Sequence, residues 1–224
     1  MTISATTRMT TKQKADLDKM KVDSQRAGGL GSRLDAMQYG TAPVIASTAG
    51  TLTAMTPTKY SCAPALQNAT GVKAAFTLLV AAQPGITAGI TSPAVPRIVT
   101  VKGNDANCAG NVVIHGTNFA GVAIIDTIAL SGTAEVLGVN AFKTVTSIDY
   151  PAYAVAGTET VSIGRGIKIG FPIAIPNSGL VISKSFNGAT DAGTVTPAAT
   201  VEGSIYSVAG TMDGTTVVDL VFLA

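Results

Sequence analysis

The sequence predicts a mainly β protein: a β-sandwich or barrel-like body of short antiparallel strands, preceded by a partly helical N-terminal arm. Three observations predict it. The 224 residues include 30 Thr and 24 Gly, with 12% charged and 5% aromatic residues. Such a chain lacks the Glu, Lys and Leu that a helical bundle or coiled coil needs. From Arg97 onward, short apolar runs of period two recur between Gly-rich turns, the pattern of half-buried strands. Charge is concentrated at the start. Residues 1–40 carry seven basic and four acidic side chains, and the other 184 carry eight and nine. A boundary near residue 40 follows.

The chain therefore divides into a charged, partly helical arm (1–40), a low-charge linking segment packed on the body (41–95) and a β-sandwich body (96–224). Within the arm, Lys12 to Arg26 reads as a short helix. Lys12–Asp16, Lys14–Asp18 and Lys19–Asp23 are i,i+4 pairs of opposite charge. The apolar side is thin: Ala15, Leu17, Met20 and Val22. Gly28, Gly29 and Gly31 stop the helix. A segment of this length buries too little to fold alone. The arm is thus expected to be ordered by another chain, and an acidic surface would suit its lysines. Its interaction residues are Lys12, Lys14, Leu17, Lys19, Met20, Lys21 and Arg26.

The linking segment is rich in Ala, Thr, Ser and Pro, with Lys59 and Lys73 its only charges. Lys73 to Ala82 reads as a strand or a short buried helix, and period alone does not decide between them. Pro84-Gly85 is expected to end it. Beyond Arg97, strands are expected at 98–102, 112–115, 122–130, 142–150, 159–170, 179–186, 193–197, 201–208 and 215–223. Val122, Ile124, Ile128 and Leu130 share one face by period two. Asp126 falls on that same face, so either a bulge shifts the register there or the carboxylate is buried with a partner. Ser131-Gly132, Asn187-Gly188 and Asp213-Gly214 supply turn chemistry.

Few residues invite a chemical reading. His115 is the only histidine, and its setting in a Val-Val-Ile-His-Gly run favours a structural role. The carboxylates are scattered, and no nucleophile elbow, phosphate-binding loop or calcium loop is present. Cys62 and Cys108 lack metal-ligand spacing; they read as small buried or partly buried thiols, with a disulfide between them left open. Tyr150 and Tyr153 flank Pro151 and read as packing at a strand end. No metal, cofactor or catalytic residue is expected. The +2 net charge is too small for bulk nucleic-acid binding. The longest apolar run is about half of the roughly 20 residues that a membrane-spanning helix needs, and residues 1–11 hold no apolar export core.

The run from Pro96 to Gly103 leads into Gly110 to Asn118, then Asp126 to Gly132 and Ala141 to Ile148. Gly166 to Pro172, Met212 to Thr215 and Val218-Asp219 follow. This succession of strands and turns over 93–224 resembles small virion structural proteins of tailed bacteriophages, of the type found beside the major capsid protein. The resemblance implies a β-rich, non-enzymatic decoration or cement protein of the capsid. Its partners would be the major capsid protein or other virion proteins and further copies of itself. It would reside in the virion, with assembly in the host cytoplasm, and would need neither nucleic acid nor a membrane. The alternatives are a tail tube, baseplate or fibre protein, or a surface-binding β module such as an adhesin or a carbohydrate-binding domain.

Overall fold

The structure is a computed structural model that describes residues 44–48, 51–153 and 157–224. The strands are β1 (Val44–Thr48), β2 (Thr51–Met55), β3 (Pro57–Cys62), β4 (Asn68–Thr77), β5 (Gln83–Ile86), β6 (Arg97–Gly103), β7 (Asn111–Thr117) and β8 (Ala123–Ala129). They continue with β9 (Val136–Phe142), β10 (Thr144–Tyr150), β11 (Thr160–Gly170), β12 (Val181–Phe186), β13 (Ala189–Thr190), β14 (Thr194–Thr196), β15 (Ile205–Ser207) and β16 (Val218–Leu223). All named pairings are antiparallel. One 3₁₀ turn, Ser178–Leu180, leads into β12. The expected mainly β fold is what the described residues adopt, with one sheet curled into a half-barrel. The expected arm helix, 12–26, lies outside the described residues.

β1 and β2 form a two-stranded hairpin, Val44 facing Met55 and Thr48 facing Thr51. It belongs to a unit separate from the one that begins at Pro57. The second unit, 57–224, holds three sheets. The first has the order β5-β10-β7-β8, and the second β14-β15-β11-β6-β9, with β4 also paired to β11. The third has the order β13-β12-β16-β3.

Two large hydrophobic cores hold these sheets together, and Ile98, Ala141 and Ile205 form a third, smaller cluster within the second sheet. Val112, Ile114, Ile124, Ile128 and Ile148 of the first sheet meet Val99, Val101, Phe142, Val161 and Ile163 of the second. Ile169 and Tyr206 of the second sheet meet Val218, Leu220 and Phe222 of the third. β6 lies between β9 and β11 and is buried on both faces, which explains its run of Ile, Val and Thr. β11 is long enough to serve both cores. Val161 and Ile163 enter the first, and Ile169 enters the second.

The local sequence accounts for several details. Asn187 and Gly188 both have positive φ, 52° and 77°. They form the two-residue turn joining β12 to β13, where Phe186 faces Ala189, as Asn-Gly favours in a hairpin. Residues 73–77 are strand, the end of β4. The segment expected over 73–82 is strand only to Thr77, so Pro84-Gly85 does not end it and sits inside β5 instead. That is tolerable because β5 is an edge strand with two register pairs to β10. Val122 departs from its expected place on the buried face. The strand starts at Ala123, and Val122 stays in the preceding turn, where the Asn118 side-chain oxygen accepts its N–H at 3.0 Å.

Candidate interaction surface

The polar clusters of the body are bound up with its own backbone. Asp126 lies on the inner face of β8 and is 5% exposed. Its register with β7 is continuous from Asn111–Ala129 to Thr117–Ala123, so no bulge rescues it. Instead its Oδ2 accepts the N–H groups of Val139 and Asn140 of β9, at 2.8 and 3.1 Å. The Asn140 side-chain amide donates back to the Ile125 carbonyl at 2.9 Å. β8 and β9 are outer strands of two different sheets. A carboxylate and an amide join them where a backbone ladder would otherwise run.

Arg97 is the largest fully buried side chain among the described residues. It donates from Nη1 to the Ala65 carbonyl and from Nη2 to the Gly166 carbonyl. Burial, with Arg165 nearby, pushes its pKa down to about 10. Tyr206 donates its hydroxyl to buried Asp191, which also accepts the Ala209 N–H at 3.2 Å. Asp213 caps its own turn by accepting the N–H groups of Thr215 and Thr216. Lys184 lines a shallow open groove beside Ser178, Val181 and Gly193. Its ammonium donates to the Gly193 carbonyl and lies 5.9 Å over the Tyr206 ring.

His115 takes a more specific place than its sequence setting suggests. It projects from the outer face of β7, about one-third exposed, with Nε2 2.9 Å from Asp149 Oδ2. The other oxygen of Asp149 accepts the Gly85 N–H at 2.6 Å. Those two contacts, the Gly85 bond first, hold the Asp149 carboxyl below its ordinary pKa. Ser147 is directly opposite His115 in the ladder, but the histidine's side-chain partner is Asp149 rather than a nucleophile. The histidine contact thus joins β7 to β10, and the Gly85 bond pins β5 to β10 at an irregular step in their register. No group of three His, Cys, Asp or Glu that could hold a metal occurs among the described residues.

The outer side of the β8–β9 junction has a different character. Ile125 (57% exposed), Leu137 (43%) and Val139 (67%) point outward, and Val122 (59%) adds a fourth exposed aliphatic at the start of β8. From Asn118 to Phe142 the chain has no Lys or Arg, and its two charges are Asp126 and Glu135. Asp126 faces inward. Glu135 borders the Leu137 end, where both its oxygens lie 3.3 Å from the Gln67 amide. At the Val122 end, Glu202 accepts the Asn118 amide at 2.9 Å. Burial alone would raise the pKa of Glu202, but the hydrogen bonds outweigh it and the pKa is lowered. The result is an uncharged aliphatic strip with a carboxylate at each end. An apolar centre within a polar rim is the anatomy of a protein contact surface.

The seven residues singled out in the arm, Lys12, Lys14, Leu17, Lys19, Met20, Lys21 and Arg26, lie outside the described residues. Tyr150 and Tyr153 are both buried in the first core, as packing at a strand end requires. Cys62 and Cys108 are both free thiols, the first half-buried and the second buried. Sequence reasoning missed the aliphatic strip. Its signal was present in the alternation Leu137-Gly138-Val139, but Gly138 and Asn140 are poor strand formers and no strand is expected there from sequence. The chain matches no family model, no curated protein and no solved structure at a significant level.

Proposed function

We propose that this chain is a non-enzymatic structural component of a virion that binds and stabilises the capsid shell as a decoration or cement protein. The reading starts from the resemblance over 93–224. One structural observation carries it further. The polar clusters of the body serve its own backbone, while the outer face of β8 and β9 presents aliphatic side chains without a basic residue. A protein built in this way acts through surfaces. A subunit that binds only the assembled shell stabilises it by mass action, and many symmetric copies add avidity to a modest single-site affinity.

The test is immunogold labelling of purified virions with antibodies raised against the full chain. Regular labelling over the head is the expected result. Labelling confined to the tail tube, baseplate or fibres would replace this reading with the alternative virion position. Virions without label would overturn it.

A further inference from the structure

We infer that the aliphatic strip on β8 and β9 receives the 12–26 segment from the arm of a neighbouring copy. The inference deepens the proposed structural role, and it rests on that reading for placing the arm on a neighbour. The strip itself rests on geometry. Ile125, Leu137 and Val139 face outward, with Val122 at one end. Glu135 and Glu202 stand at its two ends, each hydrogen-bonded to a neutral amide and neither in an ion pair among the described residues. A ligand that fits has a short apolar centre and cationic flanks.

The arm supplies that pattern. Leu17 and Met20 are three residues apart, which puts them on one face of a helix. Lys12 and Lys14 precede them, and Lys19, Lys21 and Arg26 surround or follow them. The segment 12–26 has five basic and three acidic side chains, a net charge of +2. A highly charged partner would leave its charges facing aliphatic side chains, and a neutral one would leave both rim carboxylates without a cation. The tether is long. Residues 27–43, between the segment and the β1–β2 hairpin, span at most about 55–60 Å when extended. The body of 168 residues, 57–224, has an expected radius of gyration of only about 15 Å.

The experiment uses the purified full chain. A photo-reactive phenylalanine analogue replaces Leu17 in one unlabelled preparation, which is mixed with an equal amount of ¹⁵N-labelled chain. Crosslinked peptides are then sorted by mass. The expected product joins residue 17 to the 122–139 region, and about half of it is isotopically mixed, as random pairing in an equal mixture requires. Reversing the rim with Glu135→Lys and Glu202→Lys in the labelled chain is expected to lower the mixed product at least tenfold. Restoring opposite charge with Lys14→Glu and Lys21→Glu in the photo-reactive chain is expected to recover much of it. Far-UV circular dichroism checks that each variant is folded. Crosslinks confined to single chains, crosslinks to another face, or a yield unchanged by rim reversal would each overturn the inference. The measurement needs no virion, so its failure leaves the immunogold result standing, and the converse also holds.

Discussion

Asp126 and Gly138 occupy one space across the β8–β9 junction. A side chain at position 138 would place its Cβ against Asp126 Oδ2, 3.0 Å from the Ile128 Cδ1 and 3.2 Å from the Val99 carbonyl. The glycine is therefore the counterpart of the buried carboxylate. With no Cβ at 138, Asp126 can reach the N–H groups of Val139 and Asn140. A buried carboxylate is costly unless such partners satisfy it.

This relationship predicts a non-additive pair. Gly138→Ala pushes a methyl into the carboxylate and is expected to cost about 1–3 kcal/mol by overpacking. Asp126→Ala leaves two amide donors without their acceptor and is expected to cost about 1–3 kcal/mol. The double variant places the new methyl in the volume that the carboxylate left, so its loss should be smaller than the sum by 0.5 kcal/mol or more, roughly the scale of coupling between touching residues. Urea denaturation of the four chains measures the cycle. Strict additivity would show that the two positions do not share the space.

Much of the fold was legible because the informative strands bury one face and expose the other. β7 and β8 alternate as their residues do, and Asp126 stood out as the misfit that had to find a partner. β9 was illegible because its central inner position is Gly138 while Leu137 and Val139 on either side face outward, the reverse of the usual pattern. β3 escaped notice for a related reason. As an outer strand of its sheet it exposes Pro57, Thr58, Lys59 and Ser61, and only Tyr60 and Cys62 pack against the core. The bond between His115 and Asp149 depends on which strands become neighbours, and residues 34 positions apart give no local sign of it.

The depressed carboxylates predict an acid limit. Asp149 is lowered by the Gly85 N–H and His115, Asp213 by the Thr216 and Thr215 N–H groups, and Asp219 by Ser61 and Lys59. A carboxylate whose folded pKa is depressed contributes stability that is present above its unfolded value. That contribution is lost as pH falls through the folded pKa. The unfolded value is about 4. The melting temperature should therefore stay nearly level from neutral pH down to about 5 and fall steadily below about 4. Asp213→Asn keeps one acceptor oxygen for the two amides and should make the acid limb shallower. A melting temperature that stays level through the acid range would refute the assignment.

Thiol chemistry offers an independent check on burial. Cys62 is half-buried, and burial pushes its thiol up to about 11 despite the Tyr60 hydrogen bond and the nearby Arg97 charge. Little thiolate is present at neutral pH, so the reaction should be slow. Cys108 is buried against Gly103, with its thiol 3.8 Å from the Asn104 side-chain oxygen. An aromatic disulfide reagent should titrate both thiols in denaturant. In the folded chain it should react slowly with Cys62 and far more slowly with Cys108. Two fast thiols in the folded chain would contradict this packing.

The shared strand predicts that the two cores unfold together. β11 sends Val161 and Ile163 into the first core and Ile169 into the second, while pairing with β4, β6 and β15. Separating the cores would therefore break β11 in its middle, where its register with β6 already shifts between Arg165 and Ile169. Arg97 crosses this point and ties the Gly166 carbonyl of β11 to the Ala65 carbonyl of the loop after β3. Ile163→Ala opens a cavity in the first core and Phe222→Ala opens one in the second, at expected costs of about 2–5 and 3–5 kcal/mol respectively. Native-state hydrogen exchange distinguishes coupled from independent cores. In Phe222→Ala, amides of β7, far along the sequence and in the first core, should lose as much protection as those of β16. Ile163→Ala should lower both in the same way. Loss confined to β16 in Phe222→Ala would mean that the second core opens alone and that β11 does not bind the body into one cooperative unit.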